Sequence, residues 1–237
     1  MPDADAVLEL ADVHTYIGQH HILQGVSLRA RRDAVTVLLG RNGAGKTTTM
    51  RTIVGLLRAS QGHVRHEGEA IGALKPHQIV RRGIGYVPEG QGIFATLTVD
   101  ENLRLARLGD EAGGRERLAR IFALFPDLER FREARAGTLS GGQKQMLSIA
   151  RALMNRNRLL LIDEPSKGLA PIIVEHLVEA LAAMKREVTV LLVEQNFAMA
   201  QALGDDYYIL DGGRTVHAGR MADLVGDDAL KRRYLGI

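Results

Sequence analysis

A glycine-rich segment carries the residue types of a phosphate-binding turn. It fits the pattern GxxxxGK[ST] and comprises Gly40, Arg41, Asn42, Gly43, Ala44, Gly45, Lys46 and Thr47. Glycines let backbone N–H groups curl around phosphate oxygens, lysine neutralises β- and γ-phosphate charge, and the threonine hydroxyl can ligate Mg²⁺. The segment therefore predicts a nucleoside triphosphate site in which Lys46 is a catalytic residue, with Thr48 as a further contact.

Two acidic residues, Asp163 and Glu164, follow the apolar run at residues 159–162. Such a run predicts a buried strand of a parallel sheet, and nucleotides bind at the carboxyl edge of such sheets. We expect Asp163 to hold Mg²⁺ and Glu164 to accept a proton from the water that attacks the γ-phosphate. Taken alone, two acids after a strand are more typical of a helix N-cap, but the phosphate-binding turn favours the catalytic interpretation.

A third motif opens a helix shortly before these acids and consists of Leu139, Ser140, Gly141, Gly142 and Gln143. Ser140 is suited to cap the helix, and the two glycines expose backbone N–H groups. The motif predicts a second anion-binding helix end that has no nucleotide of its own nearby. A structural N-cap would account for the serine but not for the whole pentapeptide.

The elements that position these motifs follow the rhythm of an α/β fold. Alternating segments at 7–16 and 25–30 predict antiparallel strands, and short strands with a turn at Gly68 follow at 62–70. An apolar strand at 35–39 precedes the phosphate-binding turn, a helix follows it at 45–57, and a second helix runs from Pro76 to a glycine stop at Gly83. Further strands are predicted at 84–87, 158–163, 188–194 and 207–210, with helices at 171–186 and 197–203. The tail adds a hairpin turn at Gly212 and Gly213 and a short helix.

Between residues 90 and 155 the sequence is polar, with helical patterns at 99–108, at 114–125 and from Ser140 onward. We predict a single α/β P-loop NTPase domain over residues 1–237. Its mixed-sheet core and antiparallel β subdomain comprise about residues 1–89 and 156–237, and the inserted helical subdomain, about residues 90–155, carries the Ser140 motif.

Composition excludes several classes of function. The 237 residues are 46% hydrophobic and include no cysteine, which removes disulfides, thiolate zinc sites and cysteine nucleophiles. The net charge of +3 gives no sign of nucleic-acid binding, and the scattered histidines indicate no metal beyond Mg²⁺. No apolar run approaches the roughly 20 residues of a membrane span, and the amino end is acidic rather than signal-like. We therefore expect a cytoplasmic protein.

Together, the three motifs resemble those of ABC transporter ATP-binding subunits, and the resemblance covers practically the entire chain. It implies an ABC-type ATPase in which ATP lies between two subunits, with residues 139–143 of one contacting the γ-phosphate held by the other. It also implies transmembrane permease subunits as partners, indirectly a solute-binding protein, and a place on the inner face of the cell membrane. Tyr16, followed by Gly18, resembles the aromatic residue that stacks on adenine, although a strand tyrosine is core or surface filling at least as often.

Three positions depart from the usual family pattern. Glu89 stands where most relatives carry glutamine, and Gln195 stands where they carry histidine, both at positions that sense Mg²⁺ or γ-phosphate. Glutamate can coordinate Mg²⁺ and glutamine can donate a hydrogen bond, but glutamine cannot carry a proton, which leaves catalysis to Glu164. Ala170 replaces an aspartate that usually links the two nucleotide sites, so coupling by that residue is not expected.

The segments VPEG, DEPSKGLAP and LLVEQN look like those of branched-chain amino acid (Liv-type) transporter ATPases. The resemblance implies an importer ATPase for these amino acids, and because such importers usually employ two different ATPases, it favours a heterodimer. A urea or short-amide importer ATPase remains an alternative, which Glu89 slightly disfavours. A nonhydrolysing or nucleic-acid-associated ATP-dependent clamp is the alternative of another class, but such clamps normally have paired cassettes or a long coiled-coil insertion.

Overall fold

A six-stranded sheet forms the centre of the computed structural model, which describes residues 5–108, 113–185 and 187–237. In spatial order its strands are β10 (Arg214–Arg220), β9 (Asp206–Asp211), β3 (Val35–Leu39), β8 (Thr189–Val193), β7 (Leu159–Asp163) and β6 (Ile84–Val87). The five strands from β9 to β6 are parallel and β10 is antiparallel. Every residue of β3, β7 and β8 is buried, because both faces of this sheet are covered.

A second, antiparallel sheet covers one face of the first. Its order is β2 (His20–Arg31), β1 (Ala6–Ile17), β4 (Ala59–His66) and β5 (Glu69–Ala70). Apolar residues of β1 and β2 pack with Leu38, Leu161 and Leu191 of the central sheet and with helix α1 (Lys46–Ile53) between them. Because an antiparallel sheet can expose one face to solvent, buried and exposed residues alternate along these strands, whereas the parallel strands β3, β7 and β8 are buried throughout.

Helices cover the other face of the central sheet. Because successive strand residues point to opposite faces, Val37, Leu160 and Leu192 belong to this second core while their neighbours Leu38, Leu161 and Leu191 belong to the first. The helices are α2 (Pro76–Val80), α3 (Val99–Leu105), α4 (Gly114–Leu124), α5 (Pro126–Arg130), α6 (Gly141–Leu153), α7 (Pro171–Met184), α8 (Phe197–Leu203), α9 (Met221–Gly226) and α10 (Asp228–Leu230). Of these, α3 to α9 contribute buried residues to this core, whereas Ile79 of α2 belongs to the first core. No helix in the described part of the chain is both long and apolar enough to span a bilayer.

The predicted α/β fold class is confirmed, and β3, β6 and α8 have the predicted bounds. The first three predicted helices were too long, since α1 ends at Ile53, α2 at Val80 and α3 at Leu105. Helix α7 ends at Met184, and Arg186, the predicted last residue, lies outside the described residues. Strand β2 begins at His20, five residues before the prediction, and the short helix α5 was not predicted. The subdomain boundaries stay a prediction.

Candidate nucleotide-binding site

The phosphate-binding turn lies between β3 and α1 in a conformation that requires glycine. Gly40 has φ 145° and Gly45 has φ 105°, in the left-handed region that other residues rarely adopt. A Cβ on Gly40 would lie 2.3 Å from the carbonyl oxygen of Leu210, and one on Gly45 would lie 2.8 Å from Leu23 Cδ2. No side chain caps α1, which leaves its first N–H groups for an anion.

Lys46 is held over this turn by the backbone. Its ammonium group donates to the carbonyl oxygens of Gly40, at 2.8 Å, and Arg41, at 3.1 Å, and lies 3.7 Å from Glu164 Oε1. The residue is only 5% exposed, and this burial lowers the pKa of Lys46 while the Glu164 carboxylate opposes the shift. A buried ammonium group bonded to carbonyls is ready to exchange them for phosphate oxygens.

Asp163 and Thr47 meet at the carboxyl end of β7. Thr47 Oγ1 donates to Asp163 Oδ1, and the Tyr86 hydroxyl donates to Asp163 Oδ2, each at 3.3 Å. Asp163 is fully buried, and burial raises the pKa of its carboxyl group above the ordinary value. Burial next to Asp163 also raises the pKa of Tyr86 to about 12, which keeps its hydroxyl a donor.

This donor set fits Mg²⁺, which is usually bound by one or two protein oxygens together with substrate phosphates. The Thr47 hydroxyl and the buried Asp163 carboxylate are oxygen ligands of that kind. Among the described residues no group of three or more His, Cys, Asp or Glu side chains could hold a metal ion by itself. A cation at Thr47 and Asp163 would thus depend on a bound nucleotide.

Glu164 lies beside Lys46 in an uncommon backbone conformation. Its φ is 46°, a left-handed value that costs energy in a residue other than glycine and that is frequent at active sites. The side chain is buried, and Gln195 Nε2 donates to its Oε1 at 2.5 Å. The alternative that the two acids cap a helix is wrong, because α7 begins seven residues after Glu164 and its N-cap is Ala170.

The loop after β8 closes the site from another side. Gln195 Nε2 also donates to Asn42 Oδ1 at 2.8 Å, so the amide joins the phosphate-binding turn to Glu164. The preceding residue, Glu194, is buried and accepts backbone N–H bonds from Ser166, Gln195 and Asn196, each at 3.0 Å. Burial raises the pKa of Glu194, whereas the bonds from Asn196 and the other amides oppose that shift.

Sequence reasoning missed two residues here, Glu194 and Lys167. Lys167 donates to Glu89 Oε1 at 2.6 Å and lies 3.6 Å from Glu164 Oε2, so it connects two predicted site residues. Both missed residues stand in segments that the sequence singled out, DEPSKGLAP and LLVEQN. The available signal was a charged residue close in sequence to a predicted site residue. The sequence does not show where such a side chain points, because that depends on the tertiary fold.

A cavity of about 330 Å³ opens over the phosphate-binding turn. It is lined by Ile22, Asn42, Gly43, Gly45, Lys46, Thr47, Thr48, Glu89, Glu164 and Lys167. Eight of these ten are predicted site residues. Other predicted residues contact this lining without being part of it. The carbonyls of Gly40 and Arg41 accept from Lys46, and Asp163 and Gln195 bond to lining residues, while Ala44 is buried.

The Ser140 motif lies outside this cavity. Ser140 and Gln143 form a reciprocal capping box, in which Ser140 Oγ accepts from the Gln143 N–H at 3.3 Å and Gln143 Oε1 accepts from the Ser140 N–H at 3.0 Å. Leu139 is buried, and a Cβ on Gly142 would lie 2.6 Å from Ile173, whereas one on Gly141 would meet open space. The structure therefore does not bring this motif to the phosphate-binding turn within one chain.

Tyr16 lies near the cavity without lining it. It is 46% exposed near the end of β1 and pairs directly with His21 on β2, whose neighbour Ile22 lines the cavity. The structure places this aromatic ring on the hairpin that borders the phosphate-binding turn.

The comparisons with known proteins all find ATP-binding proteins of ABC type. The family model described as ABC transporter matches residues 23–167. The high-affinity branched-chain amino acid transport ATP-binding protein BraG of Pseudomonas aeruginosa is 42% identical over 232 residues, which are 97% of this chain and 100% of BraG. The probable branched-chain amino acid transport ATP-binding protein LivF of Archaeoglobus fulgidus is 35% identical over 92% of this chain and 93% of LivF. Among solved structures, the dimeric post-hydrolysis state of an ATP-binding cassette bound to ADP and Pi has a TM-score of 0.79 at 25% identity, covering 90% of this chain and 98% of that chain.

Proposed function

This chain belongs to the ABC transporter family, and from that premise we propose that it is the ATP-hydrolysing subunit of an importer for branched-chain amino acids. The observation that carries the hydrolytic role is Glu164, which is buried beside Lys46 and held by Gln195 at the cavity over the phosphate-binding turn. The match to BraG over its full length and the match to LivF support the cargo.

Residues in and beside the cavity would divide the reaction among them. The turn and the first N–H groups of α1 bind the phosphates, and Lys46 leaves its carbonyl partners to neutralise their charge. Thr47 and Asp163 would hold Mg²⁺, which when bound polarises the phosphates. Glu164 orients the attacking water and accepts its proton, while Gln195 keeps the carboxylate in place.

We propose that two subunits complete the site. The Ser140 helix end lies outside the cavity of its own chain, so it can contact a γ-phosphate only in an identical or homologous partner. The dimeric relative with ADP and Pi supports this arrangement. Permease subunits would hold this pair at the inner face of the cell membrane, with a solute-binding protein acting indirectly and no nucleic acid involved.

Phosphate release from MgATP tests the hydrolytic role. Glu164→Gln keeps the shape of the side chain but removes its basicity, and we expect the rate to fall by about 100-fold or more, the usual contribution of a general base. Glu133→Gln is the matched control, because that carboxylate is 86% exposed, and it should retain the wild-type rate. Equal activity of wild type and Glu164→Gln at high protein concentration would contradict the role.

Reconstitution tests the cargo. The chain would be placed in proteoliposomes with the permease subunits and solute-binding protein of its transporter, and uptake of leucine, valine and urea would be compared. We expect ATP-dependent uptake of leucine and valine. Uptake of urea alone would replace the proposed cargo without affecting the hydrolytic role.

A further inference from the structure

Three rings stack on one face of the hairpin formed by β1 and β2. Tyr16 on β1 pairs with His21 on β2, and their rings are almost parallel, with centroids 4.2 Å apart and an interplanar angle of 6°. His14 lies two residues before Tyr16 and thus on the same face of the strand. Its ring centroid is 5.2 Å from that of His21. The three rings form a row in the order Tyr16, His21, His14.

Hydrogen bonds fix the two histidines in this row. His14 Nε2 lies 3.3 Å from Asp12 Oδ1, and His14 Nδ1 lies 3.1 Å from His21 Nε2. Because an ionised carboxylate only accepts, His14 donates from Nε2, and in the tautomer protonated at that atom alone, its Nδ1 accepts from the N–H of His21. Asp12 has φ 49° at a shift of the strand register, and its N–H donates to Ser27 Oγ at 2.9 Å. The bulge thus anchors the backbone of the residue whose carboxylate begins the chain of bonds.

The hairpin that carries the row borders the phosphate cavity. Ile22, which follows His21, lines the cavity together with Lys46, and Leu23 packs so closely on Gly45 that a Cβ there would lie 2.8 Å from it. The amide of Gln24 donates to the Gly213 carbonyl at 2.7 Å and fastens the same strand to the turn after β9. His21 covers one face of the Tyr16 ring, and because Tyr16 is 46% exposed, a planar ligand would stack on the opposite face.

We infer that His21 is a positioning residue for the purine base: it forms the second layer of a stack whose first layer is Tyr16, with His14 and Asp12 holding its ring. The inference rests on the proposed role of Tyr16 in ATP binding. An exposed tyrosine ring rotates freely, and ordering it on ligand binding costs entropy. A ring that is already stacked on a second ring loses less entropy when the ligand binds, because offset-stacked aromatic pairs attract one another and restrict its rotation beforehand.

Calorimetric titration of the full chain with MgADP and with inorganic tripolyphosphate tests this. Tripolyphosphate has the anionic chain but no base, so damage to the stack should affect MgADP alone. We expect Tyr16→Ala to weaken MgADP binding by about tenfold and His21→Ala by about threefold. His21→Phe keeps a stacking ring without the N–H group and should recover most of the loss. His20→Ala, at the adjacent exposed histidine, is the matched control, and melting temperatures monitor the fold.

The outcomes separate the two claims. If Tyr16→Ala loses affinity but His21→Ala binds MgADP as the wild type does, the role of His21 is overturned while the adenine site stands. If His21→Ala and His21→Phe lose affinity equally, or if tripolyphosphate binding falls in parallel, the stacking explanation is wrong. If wild type binds neither ligand, the proposed nucleotide site fails, and the inference fails with it.

Discussion

The phosphate-binding turn and the Ser140 motif are both glycine-rich starts of helices, yet the fold surrounds them differently. Lys46 is buried, and side chains from the ends of β7 and β8 converge on it and its cavity. Ser140 is exposed, and its hydroxyl is used within its own capping box. Similar local chemistry has therefore produced a site with catalytic groups in one place and an isolated helix end in the other. Convergence of side chains, rather than the glycine motif, distinguishes them.

The largest effect is expected from a substitution in the buried region, at Lys46. Lys46→Ala removes the cation that neutralises phosphate charge, and it leaves Glu164 without its buried partner. We expect ATP hydrolysis to fall by about 1,000-fold, since electrostatic stabilisation of this kind is a large part of phosphoryl-transfer catalysis. Binding of MgADP to the isolated chain should weaken as well, as measured by calorimetry. A variant that binds and hydrolyses normally would refute the assignment of this turn.

Gly141→Asp sharpens the comparison by placing a negative charge at the exposed helix end. A side chain there meets open space, so the fold and MgADP binding by the isolated chain should be unchanged. ATP hydrolysis should nevertheless fall by about 100-fold, because the carboxylate repels the γ-phosphate in a partner's site. Measuring both properties on one preparation separates the regions. Loss of MgADP binding in parallel with hydrolysis would contradict a site shared between subunits.

The smallest expected effect concerns stability. Burial raises the folded-state pKa of Asp163, so its ionised form destabilises the nucleotide-free protein at neutral pH, and this cost disappears as pH falls below the ordinary aspartate range. We expect Asp163→Asn to melt about 3 °C higher than wild type at pH 7.5 without nucleotide. The difference should shrink as the pH is lowered.

Asp127→Asn is the matched control for that measurement. Asp127 accepts from Gln143 at the exposed helix end, and its replacement should give no increase in melting temperature. Calorimetric scans of both variants from pH 7.5 to pH 4 would decide. A wild type more stable than Asp163→Asn at neutral pH would contradict the explanation.

Sequence reasoning succeeded where the determinants are local. The positions of Lys46 and Asp163 follow from the apolar runs of β3 and β7, which are complete within five residues each. It failed where the sequence pattern is interrupted or too short. Register shifts between β1 and β2 disguise the first residues of β2, and α5 spans only five residues, which is too few to show a helical period. The contacts of Lys167 with Glu89 and of Gln195 with Asn42 could not be predicted from the sequence, because the two residues of each pair are 78 and 153 positions apart.

The Glu194 carboxylate has a consequence for the loop after β8. It accepts hydrogen bonds from the backbone N–H groups of residues 166, 195 and 196, and the side-chain amide of Gln195 in turn donates to Glu164. Glu194 does not line the cavity, yet it holds the backbone that carries the Gln195 amide to Glu164. We therefore expect a substitution at Glu194 to act on the candidate site from outside it, by loosening the loop after β8.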